Sequence, residues 1–178
     1  MICSHQINET IQMAKNYDTF NFKKRRDLEN RLITASLRLV LETEWNEISL
    51  GDIANAAKIQ LIEAHKIFPS KNAILKAFNK QIDSEVLPKD PTFSSNSTIR
   101  DQLFELIMLR FDVLSREKKA ISRIFRSTIG RDPVTSFIGL GNAWVSMKNT
   151  LEIVGISTSS PLGQLKVNGL LAIYLKSM

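Results

Sequence analysis

The side chains with the widest chemical repertoire are scarce in this chain. Its 178 residues hold one cysteine, Cys3, and two histidines, His5 and His65. Neither histidine stands at ligand spacing from Cys, Asp or Glu, so no zinc site is expected. No glycine-rich phosphate loop, nucleophile elbow or metalloprotease motif occurs. No paired carboxylates lie embedded in apolar sequence. The expectation is a protein that is not an enzyme and holds no metal or cofactor.

The residues that could do chemistry are cations, and the chemistry is anion binding. Lys23, Lys24, Arg25 and Arg26 are consecutive. They suit an arm reaching DNA phosphates, and equally a solvated charge run, since Asp27 and Glu29 follow. Ser49 and Lys71 stand at expected helix starts, where backbone N–H groups and the positive dipole end face an anion. Lys66 lies between them. A second basic run, Arg116, Lys118, Lys119, Arg123, Arg126 and Arg131, faces only Glu117. Ile121, Ile124, Phe125 and Ile129 interleave with it, which reads as an amphipathic basic helix. Such a helix is either a solvated face or a peripheral contact with an anionic membrane or acidic partner. The net charge of +6 suits an anionic partner generally.

The element that must position these groups lies at 49–71, SLGDIANAAKIQLIEAHKIFPSK. Ser49 with Asp52 is a capping-box start. Ile53, Ala56 and Ala57 give a short apolar face that Lys58-Ile59-Gln60 interrupts. A second short helix over about 61–67 ends where Pro69 disfavours helical geometry at Phe68. Two short helices joined by a tight turn make a helix-turn-helix, with Ile53 and Phe68 in its core. Leu61-Ile62-Glu63 opens the second helix. Leucine and isoleucine reach only a thymine methyl, and glutamate is repelled by phosphate unless it meets a cytosine amine.

Ile53-Ala54-Asn55-Ala56-Ala57-Lys58-Ile59-Gln60 followed by His65-Lys66-Ile67-Phe68-Pro69-Ser70-Lys71 resembles the TetR family of transcription regulators. The resemblance extends over some 60 residues, with 32–39 and 73–78 fitting the flanking helices. It implies an all-α fold, with an amino-terminal three-helix DNA-binding unit and a carboxy-terminal helical domain for effector binding and dimerisation. It also places Gln60 at the cap of the recognition helix and His65 where a tyrosine usually touches a phosphate. Lys58 stands where the family usually has glycine, at a turn that commonly needs positive φ. The candidate DNA-binding set is therefore Lys23, Lys24, Arg25, Arg26, Ser49, Gln60, Leu61, His65, Lys66 and Lys71, with double-stranded DNA as partner.

The remaining chain is organised around that unit. Residues 1–22 carry weak signals and read as a flexible tail. A first strong helix is expected over about 27–44, with Trp45 and Ile48 plugging the gap to the next, so the DNA-binding domain spans 23–87. Pro88 to Thr98 is the one clear linker, and a second domain occupies 99–178. Its first helix is capped by Thr98 and Asp101 and carries Leu103, Ile107, Phe111 and Leu114 on one stripe, widened by Phe104 and Met108. Asp132-Pro133 starts the next long helix, which Gly155 ends, and Ser160-Pro161 starts the last.

Seven residues from three successive helices must face inward: Phe104, Ile107, Phe111, Phe125, Phe137, Trp144 and Met147. They form either a filled core or an apolar pocket. Gly139 and Gly141 remove volume beside them, and no charge lies between Pro133 and Met147. That favours an apolar small molecule or lipid as ligand, with close approach of a helix or ligand at the two glycines.

The carboxy-terminal half, through Arg131-Asp132-Pro133, Leu151-Glu152-Ile153-Val154-Gly155-Ile156 and Gly169-Leu170, also resembles a TetR-like branch related to a ubiquinone-biosynthesis accessory protein. This second resemblance implies lipid binding beside a vestigial helix-turn-helix. Two functions are thus open: a homodimeric DNA-binding regulator with an apolar effector pocket, or a lipid-binding accessory protein. A single cysteine, no secretory apolar run and no 18-residue apolar stretch suit a cytoplasmic protein.

Overall fold

The computed structural model describes residues 2–87 and 97–177, with side chains from residue 21 onward. Eight helices and no strand occur among the described residues: α1 (Ile2–Leu39), α2 (Leu50–Ala56), α3 (Leu61–Ile67), α4 (Lys71–Val86), α5 (Ile99–Ser115), α6 (Lys118–Thr128), α7 (Pro133–Ile153) and α8 (Pro161–Ser177). Most of the expected linker, residues 88–96, lies outside the described residues.

Local chemistry sets the helix ends. Ser49 and Asp52 form a reciprocal capping box at α2, and Thr98 and Asp101 form another at α5. Ser70 caps α4 and Asp132 caps α7, with Pro133 in its first turn. Phe68 is extended, as the following proline demands. Beyond α2, Lys58 adopts φ 55°. Ile59 N donates to Ala54 O at 2.9 Å and Lys58 N to Asn55 O at 3.0 Å. This is a Schellman termination built on a lysine, at a cost of roughly 1 kcal/mol. Gly155, at φ 83°, ends α7 in the same way.

Helix α1 departs from its expected limits. It starts at Ile2 instead of about residue 27, and it ends at Leu39 instead of about residue 44. Residues 40–49 then wrap the chain into α2, burying Trp45 and Ile48.

Two apolar cores form. The first gathers Leu32, Ile33, Leu37, Val40, Trp45, Ile53, Ala64, Phe68 and Ile74 from α1 to α4, with Ala120 of α6. Ile53 and Phe68 are core residues as expected. The second gathers Ile82, Val86, Val113, Leu114, Met147, Leu151, Val167, Leu171 and Tyr174. Helix α4 serves both: Ile74 lies in the first core, Ile82 in the second, and Phe78 packs against each.

Helix α5 is rotated from the expected stripe. Its buried line is Leu106, Arg110, Val113 and Leu114, while Phe104 and Met108 are exposed. Leu103, Ile107 and Phe111 are only partly buried. Apolar residues occur all around this helix, so spacing alone does not select the inward line. The glycine expectation also changes. A side chain at Gly139 or Gly141 would meet nothing within 4 Å, so no described helix packs closely against either one. The close approach is at Gly163, where an added Cβ would lie 2.5 Å from Ser157 O and 2.8 Å from Thr158 Cα.

Candidate nucleic-acid interface and apolar pocket

Helix α3 packs through Ala64, which is fully buried, and turns the rest of its first turn outward. Leu61 is 49% exposed and Ile62 71%, and Gln60, His65 and Lys66 are exposed with them. Gln60 makes no side-chain capping bond, so its amide is not committed to the helix end. Arg31 holds the turn before α3 from behind, donating to Ala57 O at 2.7 Å and Lys58 O at 3.2 Å.

Lys23, Lys24, Arg25 and Arg26 are all exposed, but they form no arm. Helix α1 runs through them, so they project around a rigid rod, and Arg25 pairs with Glu29 at 3.1 Å. Ser49 is exposed, with its hydroxyl donating to Asp52 at 2.6 Å. Those contacts hold the Asp52 carboxyl below its ordinary range, the Ser49 hydroxyl acting most strongly and its backbone N–H next.

Lys71 is placed differently from its expected role at phosphate. Its ammonium donates to the carbonyls of Trp45 at 2.7 Å, Ile48 at 2.8 Å and Asn46 at 3.2 Å. All three donors are spent on the loop between α1 and α2. Burial pushes this ammonium below its ordinary value, opposed by the charge of Asp132.

A cavity of about 370 Å³ lies among α4 to α8. Leu75, Phe78 and Ile82 of α4, Ile121, Ile124 and Phe125 of α6, and Gly139, Leu140 and Ala143 of α7 make most of its wall. Of the seven residues expected to line a pocket, only Phe125 does so. Met147 is fully buried in the second core, and Ile107, Phe111 and Trp144 pack against that core. Phe104 and Phe137 face outward, at 67% and 75% exposure. Of the two glycines, Gly139 lines the cavity and Gly141 does not.

A buried polar cluster abuts this cavity, and sequence reasoning missed it. Arg110, 1% exposed, pairs with Asp83 and donates to Asn79 Oδ1 at 3.0 Å and Tyr174 OH at 3.3 Å. Ser146 donates to Asp83 Oδ2 at 2.8 Å, and Asn79 Nδ2 to Ser146 Oγ at 2.9 Å. The cluster therefore joins α4, α5, α7 and α8. The available signal was Arg110 at position i+4 from Leu106 and i−4 from Leu114, a cation on an apolar line.

The corner between α6 and α7 touches both the cavity and the helix-turn-helix unit. Thr128, Ile129, Thr135 and Ser136 line the cavity. Within the same corner, Asn46 Nδ2 donates to Ser127 O at 2.7 Å, Thr135 Oγ1 to Asn72 Oδ1 at 3.1 Å, and Arg131 pairs with Glu44 at 2.8 Å. Elsewhere in the basic run, Arg116 pairs with Glu85, leaving Lys118, Lys119, Arg123 and Arg126 as exposed cations of α6.

The sequence matches no protein-family model. No curated protein matches it either. Its structure is similar to the crystal structure of a TetR transcriptional regulator from Rhodococcus sp. RHA1, with a TM-score of 0.58 and 18% identity, covering 84% of this chain and 81% of that one. The chain has the TetR fold. The flavonoid-responsive regulator FrrA is also similar, with a TM-score of 0.47 and 17% identity over 85% of this chain and 96% of that one. In this chain α2 and α3 are two short helices joined by a tight turn, and α4 contributes to both apolar cores. No described helix is long and apolar enough to cross a membrane.

Proposed function

We propose that this chain is a TetR-like DNA-binding transcriptional regulator whose cavity takes an apolar effector, with residues 23–87 as the DNA-binding domain and 99–178 as the effector and dimerisation domain. The observation that carries this reading is the outward face of α3, where Gln60, Leu61, Ile62, His65 and Lys66 are exposed beside a rigidly packed turn. A helix docked through alanine and exposed along its first turn is shaped to enter a major groove. Leu61 and Ile62 supply apolar contact to thymine methyls, and Gln60 and Lys66 supply hydrogen bonds and charge. Lys23 to Arg26 supply phosphate contacts from α1. Lys71 is left out of the interface, because its ammonium is occupied.

Release of DNA follows from the α6–α7 corner. A molecule in the cavity presses on the corner at residues 127–136, whose bonds to Asn46, Asn72 and Glu44 reach the helix-turn-helix unit directly. The homodimer uses the exposed apolar residues of α7 and α8, among them Phe137, Val145, Leu162, Leu165 and Ile173.

The test is a salt series of binding to random-sequence duplex DNA. Affinity is expected to fall linearly on logarithmic axes. Lys66→Ala is expected to lower that slope by about one. Binding that is absent, or indifferent to salt, refutes the DNA reading.

A further inference from the structure

The polar groups of the cavity wall are unequally available. Thr128 Oγ1 donates to Ile124 O at 2.8 Å, Thr135 Oγ1 to Asp132 and Asn72, and Ser136 Oγ to Asp132 O at 2.9 Å. Asn79 is saturated by Arg110, Asp83 and Ser146. Two groups are left. Asn142 lines the cavity and its side-chain amide has no partner among the described residues, and Tyr174 accepts from Arg110 while its own O–H proton has no acceptor among them. The remaining wall is hydrocarbon, and no charged side chain lines it.

Arg110 does not alter this balance. It is the buried cation nearest the cavity wall, adjoining it through Asn79 and Tyr174, and it is already neutralised by Asp83. An anionic ligand would leave water and find no counter-charge, which is strongly unfavourable. A neutral ligand with one oxygen meets two waiting donors. An unpartnered amide in a mostly apolar wall is the arrangement that orients a ligand held mainly by buried area.

We propose that the cavity takes an uncharged, largely apolar molecule bearing one ketone, ester or alcohol oxygen, anchored by the Asn142 amide and the Tyr174 hydroxyl, and that it excludes the corresponding carboxylate. This rests on the reading of the cavity as an effector site. It adds the charge and the anchoring group of the effector.

The experiment is calorimetric titration of the full chain with methyl decyl ketone, dodecanol and dodecanoate, at a pH well above the carboxylate range. Ketone and alcohol are expected to bind at least about tenfold more tightly than dodecanoate. Asn142→Ala is expected to weaken the ketone by roughly fivefold, the equivalent of one ordinary hydrogen bond. Asn142→Asp is nearly isosteric and separates anchoring from a structural role. A carboxylate only accepts, so it keeps the alcohol, which donates, and loses the ketone, which cannot. Dodecanoate binding as tightly as the ketone overturns this inference and leaves the effector site standing. An equal effect of Asn142→Asp on ketone and alcohol overturns the anchor. Failure of all three compounds to bind overturns the effector site itself, with DNA binding judged separately by its salt series.

Discussion

Lys71 and Trp45 meet twice: the Lys71 ammonium donates to the Trp45 carbonyl at 2.7 Å and lies 5.4 Å from the centroid of the Trp45 ring. Trp45 is fully buried and its indole N–H has no partner among the described residues. The lysine therefore holds the loop between α1 and α2 from the first turn of α4, through three of the loop's own carbonyls.

Lys71→Met retains the aliphatic stem and removes the donors. Two part-buried carbonyls, of Trp45 and Ile48, then lose their partner, and unsatisfied groups of this kind cost about 1–3 kcal/mol. The expected result is a melting temperature lower by several degrees. The salt slope of DNA binding is expected to stay unchanged, in contrast to Lys66→Ala. A lowered slope with unchanged stability would return Lys71 to the phosphate interface.

The pair Arg110 and Asp83 invites a double-mutant cycle. Removing one partner of a buried pair strands a charge and typically costs 3–5 kcal/mol. Asp83→Leu alone is expected to destabilise by about that amount, because Arg110 is almost wholly buried. Asp83→Leu with Arg110→Met replaces both charges by hydrocarbon and is expected to recover most of the loss. Urea unfolding of the two single variants and the double variant gives the coupling directly. Purely additive losses would mean that the pair has no mutual dependence.

The contrast between these residues marks what sequence could convey. Caps were legible at Ser49, Thr98, Asp132 and Gly155, because each acts on backbone groups a few residues away. The helix-turn-helix was legible for the same reason, its apolar face and its Pro69 stop lying within twenty residues. Lys71 and Arg110 were not, because their partners stand 23–31 positions away or further. Sequence shows a cation there but not the carbonyls or carboxylate that fold around it. The pocket suffered most. On α5 and α7 apolar residues surround the whole helix, so Phe104 and Phe137 counted as inward when packing turned them out.

Gly163 and Gly141 should respond oppositely to alanine. At Gly163 a methyl would collide with the backbone of Ser157 and Thr158, which cannot rotate away as a side chain could. Overpacking of this kind costs typically 1–3 kcal/mol, so Gly163→Ala is expected to lower the melting temperature. Gly141 sits inside α7, exposed, with open space around it. Gly141→Ala is expected to stabilise by up to about 1 kcal/mol through helix propensity. Thermal unfolding of each variant at a fixed protein concentration checks both signs.

Stability should also fall in acid, through carboxylates that act as caps. Asp132 is held below its ordinary value of 3.8, first by the hydroxyl of Thr135 and then by its backbone N–H, with Lys71 contributing charge. Asp52 and Asp101 are lowered in the same way by Ser49 and Thr98. For each, the folded-state value lies below the unfolded one. The unfolded chain therefore binds the proton first as pH falls. The stabilisation is complete above the unfolded value and is lost as pH drops through the folded one. Urea midpoints measured downward from pH about 5 should decline across that window. Asp132→Asn keeps an oxygen for the Thr135 backbone N–H but no longer titrates. It is expected to start less stable at neutral pH and to show a shallower acid decline. An undiminished decline in Asp132→Asn would place the acid sensitivity in other carboxylates, Asp52 and Asp101 being the next to replace.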